Sequence, residues 1–313
     1  MSVRILVLGA GAVGGYYGGR LVEAGADVTF LVRARRNEQL QRDGLVIESP
    51  AFGDARLKVK TVAEVDSSRH YDLVLLATKA YDLESALDVV RPAIGVDTAI
   101  LPLLNGYGHL DRLVAEFGEA GVIGGLAKIQ ATLSPEGVVR HLNDWRFITF
   151  GELDGRESAR VTQLKALFDV TSVVATVSPQ IRRDLWIKLV HLSTVAGLTC
   201  LMRGNVGEIA RTAEGTGLLN AFFDLNIEIA TRAGYPPAAG FIAEFRALFA
   251  DQGAAYSASM ARDIERGGPI EADQILGFML DRCREYGLDD RMHLIAWTHC
   301  KTYEARRAAH RLA

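Results

Sequence analysis

Cysteine is scarce in this chain: three residues in 313, at positions 200, 283 and 300. So few and so widely spaced, they form neither a disulfide framework nor a paired metal-ligand pattern, and a reducing cytoplasm is expected. His299 precedes Cys300, but no second such pair completes a zinc site, and no metal is called for. An excess of one charge is also lacking. The net charge of −3 gives no general attraction to nucleic acid or to an anionic membrane. No uninterrupted apolar run reaches the roughly 18 residues of a membrane helix. The apolar N-terminus reads as a first strand rather than a secretion signal, and there is no internal repeat or low-complexity tract. What is present, 49% hydrophobic and 23% charged residues, describes a globular chain long enough for two domains.

A further absence lies at the end of the second predicted strand. Arg4 to Arg33 reads as strand, glycine turn, helix and strand, with Gly9, Gly11 and Gly14 in G-x-G-x-x-G spacing. Gly9 permits the tight turn, Gly11 lets a pyrophosphate approach the backbone, and Gly14 lets the helix pack close to the sheet. The loop Gly9-Ala10-Gly11-Ala12-Val13-Gly14 then offers unpaired N–H groups at a helix start to a dinucleotide. An NAD site usually places an acid at the end of the second strand, for the ribose 2′-hydroxyl. Here Leu31-Val32-Arg33 stands there, and no acid lies between Asp27 and Glu38. This predicts NADP(H), with Arg33 as the main contact and Arg35 and Arg36 as ordinary solvated charges.

Farther on, strands and helices alternate. Asp72–Thr78 and Thr98–Leu104 are continuous apolar runs of the buried parallel type, and Val122-Ile123 is a short strand. The pattern predicts a doubly wound, Rossmann-type sheet. Lys79 and Asn105 follow two of these strands, at the carboxyl ends where such sheets bind ligands; taken alone, Lys79 could be a surface charge and Asn105-Gly106 a turn, but their shared position favours a site. From Ala127 the pattern turns antiparallel: Ala131–Leu133 and Val138–His141 around a turn at 135–137, then a separate strand Phe147–Leu153. A helix over Ser158–Phe168 and a strand over Val173–Val177 follow. Pro179 marks a boundary, dividing the chain into residues 1–178, the dinucleotide-binding domain, and 179–313, an all-helical domain. In the helix after Pro179, Lys188, Leu192 and Ala196 share a face. Periodicity allows Lys188 to be either a desolvated acid or a lysine snorkelling at a helix edge. Glu271 could simply be a favourable first-turn acid.

These pieces together resemble the ketopantoate reductase family (2-dehydropantoate 2-reductase) over nearly the whole chain. The resemblance rests on the glycine loop, Thr78-Lys79-Ala80, Asn105-Gly106, Pro135 to His141, Trp186-Ile187-Lys188-Leu189, Ser259-Met260 with Asp263, and Glu271 with Asp273. It implies hydride transfer from NADPH to the keto carbon of a 2-oxo acid. Lys188 would be the catalytic acid, also touching substrate. Lys79, Asn105 and Glu271 would border the nicotinamide or its ribose, and Ser259 would meet the substrate carboxylate. The cofactor set so read is Gly9, Ala10, Gly11, Ala12, Val13, Gly14, Arg33, Lys79, Asn105, Ala131 and Glu271.

The sequence departs from the family where asparagines usually follow the lysine. Leu192 and Ala196 occupy two such positions and Val206 a third, although Asn205 is adjacent. A hydrogen-bonding partner contributes about 0.5–1.5 kcal/mol, and an unpaired buried polar group costs about 1–3, so ketopantoate with its hydroxyl should fit less well. Three readings stand: a ketopantoate reductase of pantothenate synthesis, a reductase of a less hydroxylated 2-oxo acid, and a nucleotide-binding protein without catalysis. Lys188 and Glu271 argue against the last. A homodimer is open, since apolar stretches such as Phe241–Phe249 could be core or interface.

Overall fold

The structure is a computed structural model and describes residues 3–312. Its ten strands are β1 (Arg4–Leu8), β2 (Asp27–Leu31), β3 (Leu45–Glu48), β4 (Ala55–Leu57), β5 (Lys60–Val62), β6 (Leu73–Leu76), β7 (Ala99–Pro102), β8 (Ile123–Leu133), β9 (Val139–Glu152) and β10 (Val174–Val177). By its internal contacts the chain divides into two units. The first runs to Arg182 but omits residues 105–108; these four group with Arg183 onward as the second unit.

In the first unit a parallel sheet has the order β5-β2-β1-β6-β7. The chain steps outward from β1 through β2 to β5, then returns to lay β6 on the other side of β1. The reversal therefore falls between the carboxyl ends of β1 and β6, where Leu8 aligns with Leu76, and open sheets of this kind bind ligands at such points. A second sheet holds β10-β9-β3-β4, with β8 antiparallel to β9.

The helix Ala12–Glu23 explains why this sequence is so rich in glycine there. A methyl on Gly18 would lie 2.8 Å from the Phe30 ring of the first sheet, and one on Gly19 2.6 Å from Ile47 of the second. Small residues thus let one helix pack tightly against both sheets, with Tyr16, Tyr17 and Leu21 filling the remaining core. Tyr17 donates its hydroxyl proton to the Phe147 carbonyl at 2.7 Å.

Two strand predictions are corrected. Val122-Ile123 is not a short strand: β8 begins at Ile123 and continues for eleven residues. The strands expected at Val138–His141 and Phe147–Leu153 are one strand of fourteen residues. The polar residues between them, Asn143 to Arg146, belong to a sheet margin that is only partly covered, so they pair without needing to be apolar. The turn at 135–137 does join antiparallel partners, Thr132 opposite Arg140. Its motif ends in a keystone. His141 is buried, bonded through Nδ1 to Ser49 Oγ at 2.9 Å and through Nε2 to the Trp145 carbonyl at 2.8 Å.

The second unit is helical. Its longest helix, Ile181–Met202, has 22 residues and is apolar on nearly all sides, as a central helix must be. Among the described residues it alone is long and apolar enough to cross a membrane by composition, and two thirds of that stretch (67%) is buried inside the protein. Around it lie Val206–Ala210, Gly215–Arg232, Ala239–Ala250, Ser259–Glu265, Phe278–Glu285 and Arg291–Ala308. A buried polar network ties three of these helices together. Ser193 and His293 both donate to Asn226 Oδ1, at 2.9 and 3.0 Å, and Asn226 Nδ2 donates to Thr194 Oγ1 at 3.0 Å. The three cysteines are free and buried.

Candidate active site

The glycine loop of the first unit has the form its spacing implies. Gly9 sits at φ +95°, outside the reach of ordinary residues, and its N–H donates to Leu31 O at 3.1 Å, closing the turn against β2. Gly11 caps the helix with no side-chain bond, and a Cβ there would meet nothing within 4 Å. The loop is therefore open on the side a phosphate would take, at the positive end of a twelve-residue helix. Thr78, whose methyl group lies near Gly9, has a buried hydroxyl without a hydrogen-bond partner. An open cradle of backbone N–H groups at a helix start, with room beside Gly11, fits a dinucleotide pyrophosphate. Gly14, by contrast, has no room, because a methyl would run into the Gly9 carbonyl. Overpacking of this kind costs about 1–3 kcal/mol and can be relieved only by moving the Gly9 backbone of the cradle, so Gly14→Ala should weaken binding of a nicotinamide dinucleotide roughly 10- to 100-fold with the far-UV circular dichroism unchanged. A fluorescence titration with NADPH and with NADH measures this.

Of the three arginines after the second strand, Arg36 departs from expectation. Arg33 is exposed and lies 3.1 Å from Asp82. Arg35 is exposed, as expected. Arg36 is not a solvated charge. It is half-buried, its Nε donates to the Ala10 carbonyl at 3.1 Å and its Nη1 to the Gly137 carbonyl at 2.8 Å. Burial lowers its pKa. It ties the glycine loop to the 135–137 turn, 26 and 101 residues away in sequence, so no local pattern could have revealed it. Lys79 lies exposed just beyond β6. Ala131 lies on β8 opposite His141, directly after a register shift that starts at Ile129; such bulges commonly re-aim a strand beside a site.

The second unit assembles its own constellation. Lys188 Nζ donates to Asn105 Oδ1 at 3.1 Å, and Asn105 Nδ2 donates to Glu271 Oε2 at 3.2 Å. One amide therefore bridges the lysine and the carboxylate. The carboxylate can only accept, so it fixes the amide with its oxygen toward the lysine. Three supports hold these groups in place. Tyr107, Trp186 and Phe278 form a triangle of rings, with centroids 5.1, 6.0 and 5.7 Å apart, that joins the Asn105 segment, the lysine helix and the segment after Glu271. Gly106, at φ +89°, packs on the Gln274 carbonyl. The helix expected to open at Glu271 instead begins with a π-turn over Asp273–Gly277, a wider winding often found at functional sites, and its Asp273 is held by Trp297 at 2.8 Å and Lys301 at 2.7 Å.

Electrostatics at the lysine are pulled two ways. Burial pushes the Lys188 pKa down to about 8, and Glu271 opposes that fall. Glu271 itself is buried, at 3% exposure. Ser259 is the first residue of its helix and keeps some exposure. Of the positions where the family has amides, Ala196 and Val206 are fully buried and Leu192 is partly exposed. Asn205 does not substitute for the missing third amide. Its side chain accepts from Glu208 N at 2.8 Å in a capping box and starts the helix Val206–Ala210.

A Rossmann-type sheet with an open glycine loop, and a half-buried lysine bridged by an amide to a carboxylate, define a nicotinamide-dependent oxidoreductase. The comparisons specify the family. The profile described as ketopantoate reductase PanE/ApbA matches residues 5–155, and its C-terminal counterpart matches residues 180–304. The chain belongs to this family. It is 32% identical to the uncharacterized oxidoreductase YkpB of Bacillus subtilis (strain 168), over 97% of this chain and 100% of that protein. It is 28% identical to a 2-dehydropantoate 2-reductase of Archaeoglobus fulgidus, over 91% of this chain and 92% of that one. Among solved structures, 2-dehydropantoate 2-reductase from Geobacter metallireducens GS-15 superimposes with a TM-score of 0.86 at 30% identity, covering 96% of this chain and 99% of that one. A D-mandelate dehydrogenase shares the fold, with a TM-score of 0.86 at 22% identity.

Proposed function

We propose that the protein reduces the keto group of a 2-oxo acid to a hydroxyl using NADPH, in the cytoplasm, and that ketopantoate is the first substrate to test. The observation that carries this reading is the bridge from Lys188 through Asn105 to Glu271. Bound NADPH supplies the hydride. The residues of the chain handle everything else. The glycine loop holds the pyrophosphate, and Arg33 takes the 2′-phosphate. Ser259 receives the substrate carboxylate. Hydride arriving at a carbonyl carbon leaves charge on the oxygen, and the Lys188 ammonium stabilises that charge and gives up a proton from Nζ. A donor with a pKa of about 8 is still mostly charged at neutral pH yet releases its proton more readily than an ordinary lysine. Asn105 aims it, and Glu271 aims Asn105.

The pH dependence follows in sign. The acid must be protonated, so kcat/KM should fall as pH rises through about 8. Replacing Glu271 with glutamine removes the charge that raises the lysine pKa, so the alkaline limb should move to lower pH; an unchanged or higher limb would show that Glu271 does not govern Lys188.

Leu192 favours a second reading within the same chemistry. The two buried positions, Ala196 and Val206, offer nothing to a hydroxyl, and Leu192 faces the open side of the helix with an apolar surface. The substrate would then be less hydroxylated than ketopantoate. NADPH oxidation measured with ketopantoate and with simpler 2-oxo acids separates the two: kcat/KM highest for ketopantoate supports the first, and a clear preference for an apolar acid supports the second.

A further inference from the structure

Between Leu185 and Cys200 every residue of the central helix is buried except four: Ile187, Lys188, His191 and Leu192. They form one stripe, spaced i, i+1, i+4 and i+5, and residues three and four apart on a helix have Cβ atoms about 5–6 Å apart. Toward the C-terminal end of the helix the accessible surface next to the lysine is therefore made by His191 and Leu192, while one turn the other way Asp184 is also partly exposed. His191 is held rigidly. Its ring stacks on Phe245, with centroids 4.3 Å apart and planes at 30°, and its Nε2 is 2.8 Å from the hydroxyl of Tyr256. Tyr256 lies nearly parallel to it, at 17°. Phe241 adds a fourth ring, 4.7 Å from Phe245. Phe241, Phe245, His191 and Tyr256 all keep partial exposure, and Phe241 and Phe245 pack from behind on the buried Phe223, so they form a partly exposed aromatic wall backed by the core. Tyr256 stands only three residues before Ser259.

We infer that the wall of Leu192, His191, Phe245 and Tyr256 receives the substrate's side chain, and that the preferred substrates are 2-oxo acids carrying a planar aromatic group. This rests on the reading of the protein as a 2-oxo acid reductase. The physical basis is the difference between greasy and flat. Leu192 accepts any apolar group, but aromatic rings in offset or edge contact gain beyond simple burial. That gain corresponds to a preference of roughly 2- to 10-fold for an aryl group over a saturated ring of the same size.

The test is kcat/KM with NADPH for phenylpyruvate, cyclohexylpyruvate and ketopantoate, in the wild type, Phe245→Leu and Leu192→Asn. The expected result is phenylpyruvate ahead of cyclohexylpyruvate by several-fold and ahead of ketopantoate by more. The aryl-to-saturated ratio should fall toward one in Phe245→Leu. In Leu192→Asn the ketopantoate value should rise relative to phenylpyruvate, an outcome that does not depend on how well the Phe245 variant folds. Reduction of cyclohexylpyruvate or ketopantoate as fast as phenylpyruvate overturns the aromatic inference and leaves the reductase reading intact. Binding of NADPH with no turnover of any 2-oxo acid overturns both.

Discussion

Replacing Lys188 with methionine should lower kcat by about 10²- to 10⁴-fold, the usual contribution of a general acid, while NADPH affinity stays within a few-fold of wild type. The same substitution should stabilise the protein. Burial lowers the lysine pKa from 10.5 to about 8. Between those values the unfolded chain holds more protons than the folded one, so stability rises with pH there, and at neutral pH the fold bears the full cost of a charge it would rather not bury. A shift of that size corresponds to about 3 kcal/mol. Because Lys188 keeps some exposure, the expected gain in urea unfolding is about 1–3 kcal/mol. Loss of activity with a gain in stability is the mark of a functional charge held against its preference. A variant that loses both would place Lys188 among structural residues.

The second large effect is on acid stability, through His293. This imidazole is fully buried and donates from Nε2 to Asn226 Oδ1 at 3.0 Å, while its Nδ1 has no partner. A second proton on Nδ1 would have nowhere to donate, and burial pushes the pKa down from 6.5 to about 3. The sign follows from that depression. Below pH 6.5 the unfolded chain takes up a proton that the folded chain refuses. The stability present above pH 6.5 is therefore lost progressively as pH falls toward 3. Between pH 6.5 and 4 the loss from this one group amounts to about 3 kcal/mol. His293→Gln keeps a donor for Asn226 without the titration. It should unfold somewhat more easily at pH 7.5 but lose distinctly less stability between pH 7 and pH 4. Parallel curves for the two proteins would assign the acid sensitivity elsewhere.

The glycine loop was legible in the sequence because its physics is local: a turn, a cap and a close approach within six residues. The Rossmann-type sheet was legible for a related reason, since buried parallel strands must be continuously apolar. The lysine constellation was not. Asn105 is 83 residues from Lys188 and 166 from Glu271, and a hydrogen-bonded bridge of that reach leaves no periodic trace. Position alone makes Asn105 and Lys188 candidates with ordinary alternatives open, and only the family resemblance gives them and Glu271 their roles. Arg36 reads locally as a solvated charge because its carbonyl partners, at Ala10 and Gly137, come from a loop and a turn that only the folded chain brings to it. The π-turn after Glu271 was equally hidden, since no residue type demands it. Ring packing by Tyr107, Trp186 and Phe278 and the close fit of Gly106 hold it in place, and all of these are tertiary contacts.

The most direct test of the central claim is the pH profile of kcat/KM for NADPH-dependent reduction of the best 2-oxo acid, recorded from pH 6 to 10 for the wild type and for Lys188→Met. The account predicts an alkaline limb near pH 8 in the wild type. In the variant the residual rate should be at least about 100-fold lower and the limb should be gone. A wild-type profile flat to pH 10, or a methionine variant that keeps the rate and the limb, would contradict it.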